Sequence, residues 1–266
     1  MEKKTISRDG MPIAYEVSGE GPAVIFVIGA MATGASDAPL ASLLSDRFSA
    51  VVYDRRGRGD SGDTQPFAVA REVSRTSRPS SRPRATAARP LHGMSSGAAL
   101  VLEAAASGLP VGRVAVYEPP FAVYEGGEKQ RAEYTERLTQ LLAQGRRGDA
   151  VELCIALTGA PSEVIRGMRH SAAWPALEAV APTLAYDNAV MGDGLIPRKR
   201  LTSVPVPVLA LAGGASPGWM RESARATAEA APDGTYRVLE GQTHVVDPGV
   251  LAPALAEFFA AEGASQ

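Results

Sequence analysis

Gly93-Met94-Ser95-Ser96-Gly97 is the segment whose residue types and spacing point most directly to chemistry. Small residues two places either side of a serine suit a tight strand-to-helix turn that pushes the hydroxyl out toward a substrate. The chemistry is attack on a carbonyl to give an acyl-enzyme, for which a serine hydroxyl needs a neighbouring base. Imidazole titrates near neutral pH, and only His92, His170 and His244 are present, so candidates for that base are few. Glycine makes up 27 of the 266 residues, so the pattern alone carries little weight and its surroundings have to decide.

Downstream, residues 98–106 (Ala-Ala-Leu-Val-Leu-Glu-Ala-Ala-Ala) form a strong helical run that stops at Ser107-Gly108-Leu109-Pro110. Ser95 then sits at a helix N-terminus, where free N–H groups and the helix dipole favour developing negative charge. Upstream, residues 74–90 read SRTSRPSSRPRATAARP, with five arginines, no acid, no leucine and no β-branched apolar residue. Such composition suits a solvated insertion better than the helix and buried strand that should lead into an elbow.

The elements that would hold the serine follow from hydrophobic patterning. Alternating segments at 5–7 and 13–17 flank Asp9-Gly10 and predict an opening hairpin. Residues 23–28 are apolar throughout and end at Gly29, as a strand buried on both faces would; 49–53 is a second such strand. A short helix is expected over 37–44, with Asp37 as its cap and Pro39 in its first turn. A strand over 114–117 stops at Glu118-Pro119-Pro120. From 121 to about 205 the buried-strand pattern gives way to helical segments at 128–144, 150–157, 162–170 and, interrupted by two prolines, 174–184. Strands at 206–211 and 236–239 then alternate with helices at 220–231 and 250–260. Apolar strands alternating with helices mean a mostly parallel sheet covered on both faces, an α/β fold.

Composition narrows the class. A net charge of −2 argues against an extended nucleic-acid surface. Cys154 is the sole cysteine, so no intrachain disulfide or cysteine-based metal site can form. The first residues lack a signal-type apolar region and no stretch approaches membrane-spanning length, so a soluble cytoplasmic protein without a membrane partner is expected.

Four motifs in order resemble the α/β-hydrolase fold over nearly the whole chain. They are the strand running into Ile28-Gly29, the loop Asp54-Arg55-Arg56-Gly57-Arg58-Gly59-Asp60-Ser61, the Ser95 elbow, and Gly241-Gln242-Thr243-His244 after the last strand. Serine first and histidine last is also the family's chain order. The resemblance implies a core of 1–120 and 206–266, a helical lid over 121–205, and the anomalous arginine-rich segment 74–90 inside the core. It implies Ser95 as nucleophile, which argues against the epoxide hydrolases and haloalkane dehalogenases with aspartate there, and His244 as general base. The oxyanion-hole donors would be the backbone N–H groups of Ala30 and Ser96, with Ile28 standing where relatives usually carry histidine. Asp54 and Arg55 fall to structure.

The orienting acid departs from the usual pattern, because its common position in the turn Gly213-Gly214-Ala215-Ser216-Pro217 holds Ser216. Some relatives place it at the end of the strand after the elbow helix, which makes Glu118 the candidate ahead of Asp247, Asp187 and Asp193. Met168, Trp174, Met191 and Trp219 are candidates for an apolar acyl pocket. No metal or cofactor is required, and the expected partner is a small-molecule substrate. The reading is a serine hydrolase acting on a small ester or related carbonyl compound. C–C hydrolysis, perhydrolysis and non-catalytic ligand binding are the alternatives this fold also hosts. The 74–90 run also fits a compensated frameshift. Read two bases on in GC-rich codons, it gives an amphipathic helix ending in glycines, the element this fold needs there; on that reading, stability and activity are impaired.

Overall fold

The computed structural model describes residues 3–7, 10–63, 67, 69, 72 and 88–261. Strands β1 (Lys3–Ile6) and β2 (Pro12–Ser18) form the expected hairpin, turning at Gly10, whose φ of 80° suits a residue without a side chain. They continue into β3 (Ala23–Val27), β4 (Ser49–Tyr53), β5 (Arg89–Met94), β6 (Val111–Tyr117), β7 (Val208–Gly213) and β8 (Gly234–Leu239). The sheet order is β1-β2-β4-β3-β5-β6-β7-β8, with β1 and β2 antiparallel and the remaining neighbours parallel.

Side chains alternate across the pleat, so each parallel strand feeds two cores. Val24 and Phe26 of β3 join Leu40 and Leu44 of α1 (Ala38–Leu44) on one face. On this face lie also Leu251, Leu255 and Phe259 of the last helix, Pro248–Ala260. Ile25 and Val27 face the other way, toward α2 (Ser96–Ala106), in a core that continues along the sheet to Ala224 and Ala228 of the helix Gly218–Ala230. Burial on both faces is why these strands read as unbroken apolar runs.

Between β6 and β7 the chain is helical: α3 (Gly127–Ala143), α4 (Arg147–Ala156), α5 (Ser162–Arg169), α6 (Trp174–Val180), α7 (Leu184–Met191) and α8 (Arg198–Leu201). These helices own a separate apolar cluster that includes Tyr134, Leu138, Leu141, Val151, Ile155, Trp174 and Leu184. The helix expected over 174–184 is two pieces: Pro175 sits harmlessly in the first turn of α6, while Pro182 falls in the 3-10 turn Ala181–Thr183 before α7. The helices Gly218–Ala230 and Pro248–Ala260 are hereafter α9 and α10.

Residues 74–87, which carry most of the arginine-rich run and the frameshift reading, lie outside the described residues. Its end is described, and there a central strand does form: Arg89 and Pro90 open β5. Pro90 has no N–H to give to a ladder, and the pairing of β5 with β6 shifts register between Arg89 and Leu91. Regular pairing with β3 begins at Leu91, opposite Ile25.

The junction of β5 with α2 is closed too tightly for side chains. A Cβ on Gly97 would lie 2.1 Å from the Val27 carbonyl oxygen, and one on Gly93 would lie 2.6 Å from the Gly97 carbonyl oxygen. Gly97→Ala is therefore expected to cost about 1–3 kcal/mol of unfolding free energy, read as a lower urea midpoint. An unchanged midpoint would contradict this packing.

Candidate active site

Ser95 stands between β5 and α2 at φ 54°, ψ −124°, a conformation that serine adopts only when its surroundings impose it. Its N–H donates to the Tyr117 carbonyl at 2.9 Å and its carbonyl accepts from Ala98 at 2.9 Å, which fixes the turn from both sides. Among the described residues its hydroxyl makes no hydrogen bond, and Ser95 lines a cavity of about 620 Å³. Ser96 is the first residue of α2, so its N–H has no partner within the helix. The loop after β3 runs directly against the elbow: a Cβ on Gly29 would lie 3.1 Å from Ser95 Cβ. Ala30, the next residue, lines the same cavity.

His244 also lines that cavity, and its Nδ1 lies 2.7 Å from Oε2 of Glu118. Glu118 is fully buried at the end of β6, at φ 46°. Its Oε1 accepts the Gly213 N–H at 2.8 Å and its own N–H donates to Leu211 at 2.9 Å, so β7 holds both its backbone and its carboxylate. An ionised carboxylate only accepts, so this contact selects the tautomer of a neutral imidazole that has its proton on Nδ1 and its lone pair on Nε2. The histidine loop is anchored from the same strand end, where the Tyr117 hydroxyl donates to the Thr243 carbonyl at 2.6 Å. Burial holds that phenol far above its ordinary pKa, so it remains a donor.

The lesser candidates for the acid are engaged elsewhere. Asp247 caps α10 through Gly249, and Asp193 accepts the Leu195 N–H. Ser216, in the turn where an acid would be usual, is buried with its hydroxyl unbonded. Of the other histidines, His170 is exposed at the end of α5. His92 is buried within β5 with Nδ1 3.2 Å from the Ala115 carbonyl; burial pushes it down to about 4, so it stays neutral.

Asp187, on α7, is the centre of a buried charge cluster. Its Oδ1 accepts from Arg55 Nη1 and from the Ser96 hydroxyl, both at 2.7 Å, and its Oδ2 pairs with Arg58. Arg58 also donates to the Gly29 carbonyl at 2.5 Å and to Thr183 Oγ1 at 3.0 Å, while Arg55 reaches the Ile28 carbonyl at 3.3 Å. One carboxylate thereby ties the elbow, the loop after β3 and the helical segment together. Burial opposes its ionisation, but Arg58, Arg55 and the Ser96 hydroxyl outweigh burial and hold it below the ordinary carboxylate range. Asp54 has a comparable structural duty, accepting the Gly34 N–H at 2.7 Å and the Asp60 N–H at 2.9 Å.

Of the four apolar residues expected in the pocket, Met191 and Trp219 line the cavity. Met168 and Trp174 do not: both pack into the helical segment's own core, with the Trp174 indole N–H donating to Glu178 at 3.0 Å. Two charged groups lining the cavity were not expected there, and Asp37, expected to cap α1, makes no side-chain cap hydrogen bond. Burial raises the Asp37 carboxyl to about 6, and its Oδ2 has no hydrogen bond. Arg131 lies on α3. Its signal was in the sequence: Arg131, Tyr134, Leu138 and Leu141 fall at the 3-4-3 spacing of one helix face, where a charge is out of place. Among the described residues no three metal-ligating side chains cluster, and no helix is long and apolar enough to cross a membrane.

The chain belongs to the alpha/beta hydrolase family, whose model matches residues 24–256. An alpha/beta hydrolase from Sphaerobacter thermophilus is 48% identical and superposes with a TM-score of 0.88, covering 97% of this chain and 100% of that one. Two more distant structures share the fold. An esterase from a Rhodococcus species is 18% identical (TM-score 0.67, covering 98% and 99%). A bromoperoxidase from Bacillus anthracis is 18% identical (TM-score 0.70, covering 96% and 99%). The protein is thus a hydrolase-family domain with an eight-stranded, mostly parallel sheet.

Asp187→Asn would leave two buried arginines without their shared carboxylate, at a cost of about 3–5 kcal/mol, measurable as a lower melting temperature at neutral pH. Because the folded carboxyl titrates below its unfolded value, the wild type's advantage is full above about pH 4 and shrinks as pH falls further. Equal melting temperatures at neutral pH would contradict the cluster's role.

Proposed function

We propose that this protein is a serine hydrolase that cleaves a small ester or related carbonyl compound through an acyl-enzyme. The observation that carries the reading is the buried Glu118 carboxylate at 2.7 Å from His244 Nδ1, on a histidine that shares a cavity with Ser95. Glu118 fixes the imidazole tautomer and stabilises the imidazolium as it forms. His244 Nε2 takes the proton from Ser95 Oγ as it bonds to the substrate carbonyl carbon. The oxyanion develops at the N-terminus of α2, where the Ser96 N–H and the Ala30 N–H are the donors. The same proton then goes to the leaving alkoxide, the C–O bond breaks, and water repeats the sequence on the acyl-enzyme to release the acid and Ser95.

The helices between β6 and β7 serve in this reading as a lid. Met191 of α7 and Gly194 in the loop after it line the cavity beside the elbow, and Asp187 fastens α7 to Arg55 and Arg58. A short acyl chain with a small alcohol suits about 620 Å³ of largely apolar space.

The test is release of p-nitrophenolate from short p-nitrophenyl esters. Ser95→Ala is expected to abolish turnover above background. Glu118→Gln keeps the side chain's shape but not its charge and is expected to lower kcat by roughly 10³–10⁴-fold. Turnover near wild type in Glu118→Gln would remove that residue from the mechanism, and turnover unaffected by Ser95→Ala would remove the serine.

A further inference from the structure

Arg131 is a cation in a largely apolar cavity, and among the described residues no carboxylate is hydrogen-bonded to it. It lines the same space as Ser95 and His244. Among the described residues its polar contacts are a 3.2 Å bond from Nη2 to the Asn188 carbonyl and its position over the Tyr134 ring, 5.2 Å from the centroid. Its Nε–H is buried and has no acceptor. Of the carboxylates lining the cavity, Asp187 acts on it only through space, being bound by Arg55, Arg58 and Ser96, and among the described residues Asp37 Oδ2 has no hydrogen-bond partner. The side chain is also held in position. Gly194 has φ 78°, and a Cβ there would lie 2.8 Å from Arg131 Cγ, so the bare backbone makes the bed for the arginine stem.

A half-buried guanidinium with unmade N–H groups is expensive unless an anion completes it. Burial accordingly drags Arg131 below its ordinary pKa, whereas Arg55, with Asp187 and Glu72 beside it, is raised. The planar fork of N–H groups matches the two oxygens of a carboxylate. We propose that Arg131 is a specificity-determining residue that binds a carboxylate carried by the substrate, so that this cavity takes half-esters or related acid-bearing carbonyl compounds in preference to neutral ones. The proposal rests on the reading of this cavity as the substrate site.

Two measurements test it and separate its failure from failure of the hydrolase reading. The first is kcat/KM for mono-p-nitrophenyl glutarate against p-nitrophenyl pentanoate, which lacks the carboxylate. Wild type is expected to prefer the anionic ester by roughly 10–100-fold, the worth of a charge-assisted hydrogen bond. Arg131→Gln is expected to bring that ratio close to one, and Arg131→Lys to retain part of it. The second is the rise in melting temperature that glutarate causes in Ser95→Ala, with glutaramide at matched ionic strength as the neutral control. A rise that disappears in Ser95→Ala/Arg131→Gln supports the subsite even if neither ester is turned over, in which case it is the hydrolase reading that fails. Absence of an Arg131-dependent rise with glutarate overturns the proposal, and so does a wild-type ratio near one that Arg131→Gln leaves unmoved.

Discussion

Everything at the site depends on how closely the chain can approach itself around Ser95. The serine is held at φ 54° because β5 turns into α2 over a floor that admits no side chain: Gly97 lies against the Val27 carbonyl and Gly93 against the Gly97 carbonyl. Hydrogen bonds from Ser95 to Tyr117 and from Ala98 to Ser95 complete the clamp. A hydroxyl delivered this way projects from the C-terminal edge of the parallel sheet, where the ends of β3, β6 and β7 also converge. Ala30 follows β3, Glu118 directly follows β6, and Gly213, whose N–H steadies Glu118, ends β7. The sheet thus assembles at one edge residues that lie far apart in the sequence.

The Asp187 cluster secures that edge from above. Buried charges are costly, and this one is tolerated because each carboxylate oxygen has a cationic donor and one also accepts a hydroxyl. Its consequence is a coupling between α7, the loop carrying Ala30, and the residue after Ser95. Withdrawing α7 would take its carboxylate from Arg58 and leave Arg55 with Glu72 alone at 3.4 Å, so the geometry disfavours opening the cavity by lifting that helix. Arg131 contrasts with this cluster, since its stem is fixed by Gly194 while among the described residues no carboxylate is paired with its charge.

The sheet was largely legible because strands buried on both faces leave apolar runs with sharp ends; β4 begins and ends where its run does, at Ser49 and Tyr53. The site was legible where one local motif carries one role, as at Ser95. Glu118 could be read because Ser216 occupies the turn where an acid would be usual, and the structure brings Glu118 to His244. What escaped depends on distant pairing or on helix rotation. Asp187 meets Arg55 across 132 residues, and no local pattern encodes that meeting. Met168 and Trp174 have the composition of a pocket wall but face the helical core. Arg131 did break an apolar stripe, yet on a helix rich in charges it resembled one more solvated group.

The central claim is that Ser95 is a nucleophile made reactive by a histidine that Glu118 holds. Labelling with an organophosphonate, followed by mass mapping of the peptides, measures that reactivity without presuming a substrate. The account predicts one adduct per chain, on Ser95, forming far more slowly when His244 or Glu118 is replaced. An unlabelled chain, or an adduct on another residue, would contradict it.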